Sequence, residues 1–178
     1  AAMLTNLDLV ELTAFRRHLH RHPEVSGQEA WTAAEVASAL EPLTPDRILT
    51  GLGGHGVAAV WNAIEPGPTV MFRSELDALP IEELSGAEYR STIPGKGHLC
   101  GHDGHSTILM GLARLIARHP PRRGRVILLF QPAEEDGSGA AAVLADPRFA
   151  EIRPEWAFAL HNMPGNPLEQ CRKLVGGQ

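Results

Sequence analysis

The sequence predicts an α/β fold, in which helices and strands alternate along the chain. Two observations lead to this prediction. Segments with apolar residues at helical spacing alternate with short apolar runs, such as Val126–Phe130, that are bounded by glycine and proline. At 178 residues and 43% hydrophobic composition, the chain also has enough apolar material to bury a sizeable core.

Four segments carry the apolar spacing of a helix. They are residues 7–20, 28–40, 106–118 and 139–144. Asn6 or Asp8 is placed to cap the first of these helices, and its buried stripe is expected to include Leu9. Pro42 ends the second helix, because proline cannot continue the hydrogen-bonding pattern. The first three segments therefore have the length of ordinary globular helices.

Four apolar runs are typical of strands. They are residues 56–61, 69–72, 126–130 and 156–160. Glu65-Pro66-Gly67-Pro68 predicts a turn between the first two runs, so we expect those strands to pair as a hairpin. The stretch Gly51–Gly56 matches the dinucleotide-binding pattern GxGxxG, but that pattern opens a helix, whereas here a strand follows. We therefore expect no dinucleotide cofactor.

Charge and composition exclude several classes of partner. The net charge is -5, and no run of lysine and arginine is long enough to follow a phosphate backbone, so nucleic acid is not expected as a partner. No apolar stretch reaches roughly 18 residues, and the N-terminal segment lacks the features of a secretory signal, so we expect no membrane span and a cytoplasmic location. Two cysteines imply no disulfide framework.

Polar residues follow the apolar runs or lie beside glycine-rich turns, where sites form in open α/β sheets. Cys100 and His102 are two residues apart, so on an extended backbone both side chains can face one cation. The alternative is a turn into the next helix, with Cys100 in the core and the histidines solvated. Asp103 is interpreted as a helix cap or as a support for a metal site.

Two further segments offer carboxylates and an imidazole. Glu134 and Glu135 are adjacent and point in different directions, so one can bind metal while the other moves a proton. Alternatively, both complement the positive end of a following helix. His161 ends an apolar run and, taken alone, is more typical of a hydrogen-bonded structural residue. Asp77 is either a turn residue before Pro80 or a carboxylate that orients a ligating imidazole.

Other titratable residues give weaker indications. Glu75 shares a face with Asp77 if that segment is extended. His18, His20 and His22 alternate along a helix and diverge around its axis, so we expect them to form no cluster. Together, the thiolate, two imidazoles and carboxylate pair described above still form a metal-ligand set with a spare base.

Five segments carry a resemblance to a known family. They are RRHLHRHPEVSGQE, LDALP, CGHDGH, FQPAEE and ALHNMPG, which run from Arg16 to Gly165. In this order they resemble the metallo-aminoacylases and carboxypeptidases that include hippurate hydrolase, N-acyl-amino-acid amidohydrolases and indoleacetyl-amino-acid hydrolases. The resemblance implies a three-layer, zinc-peptidase-like α/β catalytic domain, with a mixed, mostly parallel sheet that is incomplete at its C-terminal side.

The same resemblance implies an activity. A metal-dependent amidohydrolase of this family would cleave the amide bond of small-molecule N-acyl amino acids, of the hippurate or N-acetyl type, through metal-activated water. Two divalent ions, zinc or manganese, would be bound in the complete enzyme. Glu134 would be the general base and acid, and Asp77 would steady the metal site. The implied metal ligands are Cys100, His102, Glu135 and His161.

Two departures from the family's pattern leave alternatives open. Glu75 stands where related sequences usually have aspartate, so its role is not assigned. Family members also continue through a lid and dimerisation domain and return with a further metal-binding histidine. We therefore expect residues 1–178 to form the N-terminal portion of the catalytic domain, with the lid and dimerisation domain absent. The alternative function is a truncated, non-catalytic remnant with at most weak metal binding, and the oligomeric state is left open.

Overall fold

The computed structural model describes residues 3–163 and Gly165. The helices are α1 (Asn6–Arg21), α2 (Ala30–Leu40), α3 (His102–Arg118), α4 (Gly139–Ala145) and α5 (Phe149–Ile152), and a 3-10 turn spans Glu41–Leu43. The strands are β1 (Arg47–Leu52), β2 (Gly56–Asn62), β3 (Glu65–Glu75), β4 (Arg123–Gln131) and β5 (Trp156–Ala159). In this part of the chain, no helix combines the length and the apolar character that crossing a bilayer requires.

The strands form one open, mixed sheet in the order β1-β2-β4-β3-β5. The pairs β1·β2 and β2·β4 are antiparallel, whereas β3·β4 and β3·β5 are parallel. The mixed sheet was expected. Parallel pairing does not predominate, however, because the tight β1–β2 turn adds antiparallel strands at one side.

The expected hairpin between β2 and β3 is wrong. Strand β4 lies between them, antiparallel to β2 and parallel to β3. The reason is the composition of β4, because Ile127 and Leu128 point to opposite faces and both are fully buried, which requires a central position. The predicted turn at 65–68 belongs to β3 instead. The hairpin of this sheet joins β1 and β2, and the GxGxxG stretch forms its turn, with positive φ at Gly53 and Gly54.

Helices cover both faces of the sheet, which makes the three layers that were expected. Along β2, Val57 and Ala59 pack in a core with α1, α2 and α3, while Ala58 and Val60 pack in a second core with Val143 of α4. This alternation follows from the pleat, which sends successive side chains to opposite faces. The α/β fold class is therefore confirmed.

The start of α1 differs in detail from the prediction. The N-cap is Thr5 rather than Asn6 or Asp8, and a capping box forms between Thr5 and Asp8. Asp8 turns inward and accepts two hydrogen bonds from Arg118 of α3, at 2.6 and 2.7 Å. Leu9 was expected in the buried stripe but is 51% exposed, because Asp8 and Leu12 occupy the inner face.

Candidate metal centre

The parallel strands bring the candidate residues to one edge of the sheet. Strands β3, β4 and β5 run in the same direction, so their carboxyl ends lie side by side. Asp77 follows β3, Glu134 and Glu135 follow β4, and His161 follows β5. Helix α3 starts at the same edge and carries His102 on its first turn. The site therefore occupies the position that open α/β sheets commonly use.

A first group of metal-ligating side chains is formed by Cys100, His102 and Glu135. Each offers one ligand atom, and these atoms lie within 4.8 Å of one another. His102 Nε2 is 3.7 Å from Glu135 Oε1. That carboxylate oxygen is buried and has no hydrogen-bond partner among residues 3–163 and 165. An unpaired buried carboxylate oxygen beside an imidazole and a thiol fits a bound cation.

A second group shares His102 with the first. It also contains Glu75, His105 and His161, again with one ligand atom each within 4.8 Å of one another. His161 Nε2 lies 3.3 Å from His102 Nε2 and 3.7 Å from Cys100 Sγ, so His161 borders both groups. Two overlapping groups of candidate ligands therefore lie around the imidazole of His102.

Hydrogen bonds fix which nitrogen carries the proton in the two buried histidines of the centre, His102 and His105. His102 Nδ1 donates to the backbone carbonyl of Asp77 at 2.8 Å, and a carbonyl can only accept. His105 Nδ1 donates to Glu75 Oε2 at 2.8 Å. In the neutral imidazoles, Nε2 therefore carries the lone pair, and in His102 this atom faces Glu135 and His161.

Asp77 links the parts of the site. Its Oδ2 accepts hydrogen bonds from Ser26 Oγ at 2.7 Å and from the Glu135 amide at 2.9 Å, and its Oδ1 is 3.3 Å from His102 Nδ1. Burial raises the pKa of Asp77, but hydrogen bonds with His102, the Glu135 amide and Ser26 outweigh it and bring the pKa down to about 2. Asp77 is therefore ionised at neutral pH and ties the imidazole of His102 to the Glu134–Glu135 segment.

Negative charge dominates the centre. Burial and the neighbouring carboxylates of Glu135 and Glu134 raise the pKa of Cys100 to about 12. Burial also raises the pKa of Glu75, but His105 and Arg73 more than offset this and lower it overall. The thiol therefore keeps its proton until a cation offsets the carboxylates, and thiolate, imidazole and carboxylate are the ligands that zinc prefers.

The two adjacent glutamates differ in exposure. Glu135 is largely buried within the first group, whereas the Glu134 side chain is 32% exposed and reaches it from the solvent side. Glu134 Oε2 lies 3.5 Å from His102 Nε2. The structure thus brings all six predicted site residues together at one edge of the sheet.

The sequence interpretation missed a buried network behind the centre. His20 was expected only to form no cluster with His18 and His22; in the structure it is buried, and its Nδ1 donates to Asp103 Oδ2 at 2.8 Å. Arg16 Nε donates to the same oxygen at 2.9 Å, so Asp103 joins α1 to α3 and does not cap α3, whose N-cap is Gly101. A signal was present, because Arg16 and His20 follow Leu12 at intervals of four, on one helix face.

Glu75 and His105 were also not assigned as ligands. His105 follows His102 by three residues, a spacing that places both on one side of a helix. This relation was hidden because the helix was expected to begin at residue 106, whereas α3 begins at His102. For Glu75, the sequence indicated only that it shares a face with Asp77.

Comparison with known proteins identifies the family. The sequence profile of Peptidase family M20/M25/M40 matches residues 71–175, more than half of the chain. The N-acetyl-L-cysteine deacetylase of Bacillus subtilis is 39% identical over 166 residues, covering 89% of this chain and 38% of that protein. The N-acetyldiaminopimelate deacetylase of Bacillus subtilis is 36% identical over 162 residues, covering 91% and 43%.

A solved structure agrees with these matches. The YXEP protein of Bacillus subtilis, described as a dinuclear metal binding peptidase from the M20 family, superposes with a TM-score of 0.84 at 34% identity. The alignment covers 92% of this chain and 45% of that one, so the chain spans less than half the length of these relatives. With the profile match and the shared fold, the chain belongs to Peptidase family M20/M25/M40.

Proposed function

We propose that this chain is the metal-binding portion of the catalytic domain of an amidohydrolase that cleaves the amide bond of N-acyl amino acids. One observation carries the proposal: two groups of ligating side chains share His102, with the partly exposed carboxylate of Glu134 beside them. This arrangement supplies both a place for divalent cations and a base within reach of bound water. The lid and dimerisation domain of such an enzyme would lie outside residues 1–178.

The proposed ligands divide between the two groups. The thiolate and imidazole favour zinc, and manganese is the second metal to test. When bound, the cations would acidify a water molecule and polarise the substrate carbonyl. Asp77 holds the ring of His102 through Nδ1 and so keeps Nε2 directed into the centre. The proposed ligands are Cys100, His102, Glu135 and His161, with Glu75 and His105 available in the second group.

Glu134 is proposed as the proton carrier. Its carboxylate is close to His102 yet open to solvent, so it can take a proton from water and deliver it to the leaving amine. Glu135 suits the other task, since its Oε1 is buried and unpaired in the described part of the chain. Both carboxylates lie near His102 Nε2, at 3.5 and 3.7 Å, so the two tasks follow from their different exposure, 32% for Glu134 and 17% for Glu135.

The substrate class rests on relatives of similar sequence. Two of them are named as deacetylases of N-acetyl compounds, so N-acetyl amino acids are the first substrates to test and hippurate the second. These substrates are small molecules with at least one free carboxylate.

The test uses the purified chain, metal analysis and hydrolysis of N-acetyl amino acids with added zinc or manganese. We expect two metal equivalents and metal-dependent release of the free amino acid. Glu134→Gln should keep the metal but lower kcat by about 10²–10⁴-fold, the usual contribution of a general base.

Glu65→Gln is the matched control, because Glu65 is exposed at the opposite end of β3 from Glu75. It should behave like the parent. A chain that holds two metal equivalents but releases no amino acid would contradict the hydrolase proposal and favour a non-catalytic remnant.

A further inference from the structure

Glu29 is a buried carboxylate that its own helix does not use. It is the N-cap residue of α2, has 0% exposure and makes no capping hydrogen bond with its side chain. Glu24 supplies that function instead, accepting from the amides of Trp31 at 3.3 Å and Thr32 at 2.7 Å. Burying a carboxylate is costly, so its position calls for another partner.

That partner lies 104 residues away in sequence. Glu29 Oε1 accepts a hydrogen bond from the backbone amide of Ala133 at 2.8 Å. Ala133 is itself unusual, because its φ is +49°, a left-handed conformation that alanine adopts rarely. It directly precedes Glu134, so the direction of the Glu134 side chain depends on the backbone angles of Ala133.

The remaining backbone groups of this segment are held from other sides. The Ala133 carbonyl accepts from the Gly139 amide at 2.8 Å, and the Glu134 carbonyl accepts from the Gly137 amide at 2.9 Å. The Glu135 amide donates to Asp77 at 2.9 Å. Glu29 accepts the hydrogen bond of one further amide in this segment, that of Ala133. Because Ala133 is buried, water cannot replace Glu29 as the acceptor.

We propose that Glu29 is a positioning residue that stabilises the left-handed backbone of Ala133 and so directs Glu134 and Glu135 at the metal centre. This inference rests on the proposed function for the roles of the two glutamates. Without the acceptor, the Ala133 amide loses its partner and the alanine relaxes toward the conformations it prefers. Glu134 then turns away from His102.

The principal test compares two substitutions of the same size. Glu29→Met fills the space but removes the acceptor, whereas Glu29→Gln keeps an oxygen that can accept from Ala133. With metal bound, Glu29→Met should lower kcat by about 10–100-fold and change KM by less than about 3-fold, as expected for a misplaced base. The kcat of Glu29→Gln should stay within about 3-fold of the kcat of the parent.

A second readout needs neither metal nor activity. Hydrogen exchange of the Ala133 amide, followed by NMR, should be slow in the parent and in Glu29→Gln and about 10-fold or more faster in Glu29→Met. Glu24→Met is the matched control, because Glu24, like Glu29, lies between α1 and α2. It should lower the melting temperature through loss of the α2 cap while leaving Ala133 exchange and kcat unchanged.

Ala133→Gly separates backbone strain from general damage. Glycine adopts the left-handed region without penalty, so Glu29→Met should cost less in kcat when residue 133 is glycine. Equal losses in both backgrounds would overturn the proposed link between Glu29 and the backbone of Ala133.

The kcat and hydrogen-exchange measurements together distinguish failure of this inference from failure of the proposed function. If the parent shows no hydrolysis, the hydrolase proposal fails, while the exchange data still decide whether Glu29 holds Ala133. If exchange accelerates in Glu29→Met and kcat stays at the parent value, the hydrogen bond exists but the positioning role is refuted.

Discussion

Cys100 lies beside two carboxylates at the point where a cation is proposed to bind, and this determines its reactivity. With its pKa at about 12, the thiol is almost fully protonated at neutral pH. The thiolate, not the thiol, attacks alkylating reagents, so the residue should react slowly in the absence of metal despite its partial exposure. A bound divalent cation would offset these carboxylates and favour the thiolate.

This electrostatic coupling predicts an alkylation pattern. At pH 8 the metal-free chain should carry about 10⁻⁴ of Cys100 as thiolate, so iodoacetamide should modify it far more slowly than a free thiol. Glu135→Gln removes the nearest negative charge and should accelerate the modification. Peptide mass spectrometry that follows the Cys100 peptide measures the rates, with Glu65→Gln as the control. A parent rate equal to that of free cysteine would contradict the prediction.

At this scale the sequence predicted the chemistry of residues better than their partners. Six proposed site residues were recognised because their segments follow apolar runs or glycine-rich turns and resemble those of a known family, and the fold does bring them together. His20 and Glu29 were not recognised, because their partners, Asp103 and Ala133, are 83 and 104 residues away. Contacts at such distances depend on tertiary packing, which local spacing does not encode.

At the scale of elements, α1 is attached to α3 by a buried acid. The hydrogen bonds from Arg118 hold the pKa of Asp8 well below its usual range. The Thr5 amide and Arg114 lower it further. A lowered pKa in the folded state means that the ionised form stabilises the fold. This stabilisation is complete above the unfolded pKa of about 4 and decreases as the pH falls below it.

The pH dependence can be tested with Asp8→Asn. The variant should have a lower melting temperature than the parent at pH 7, because it loses the charge-assisted bonds to Arg118. The difference should narrow as the pH falls from about 4 toward 2, because Asp8 then becomes protonated in the unfolded chain while Arg118 keeps it ionised in the folded one. Melting temperatures of both proteins across this range give the answer. A gap that stays constant would refute the assignment.

The elements themselves were largely predictable, and the exceptions have physical causes. Strand β1 was not predicted, because its end is glycine-rich and only pairing with β2 makes it a strand. The β2–β3 hairpin was wrong because proximity in sequence favours pairing, whereas burial of both faces of β4 overrides it. Helices α1 to α4 were predicted because their spacing is a local property, although α3 begins at His102 rather than at residue 106 and the short α5 was not predicted.

At the scale of the whole molecule, the two sides of the sheet end differently. In the described part of the chain, β1 is packed beneath α2, whereas β5 terminates the strand order with all four residues exposed. Trp156 is 63% exposed and Phe158 is 52% exposed. An exposed strand with large apolar side chains is a template for pairing with another chain.

We therefore expect the 178-residue chain to associate through β5 as its concentration rises. Sedimentation velocity should give an increasing average mass, and Trp156→Lys should reduce the association by placing a charge on the exposed strand. Leu84→Lys, at a residue that is 91% exposed outside β5, is the matched control and should have no effect. A mass that does not change with concentration would exclude association through this strand.

The position of β4 also has a consequence for the order of folding. The central strand is the fourth to leave the ribosome, so β2 and β3 must both wait for residues 123–131 before either gains its principal partner. During synthesis the hairpin β1–β2 can form early, but β3 remains an unpaired apolar strand. Folding should consequently be limited by a late, non-local insertion, and nascent chains shorter than about 131 residues should require protection by chaperones.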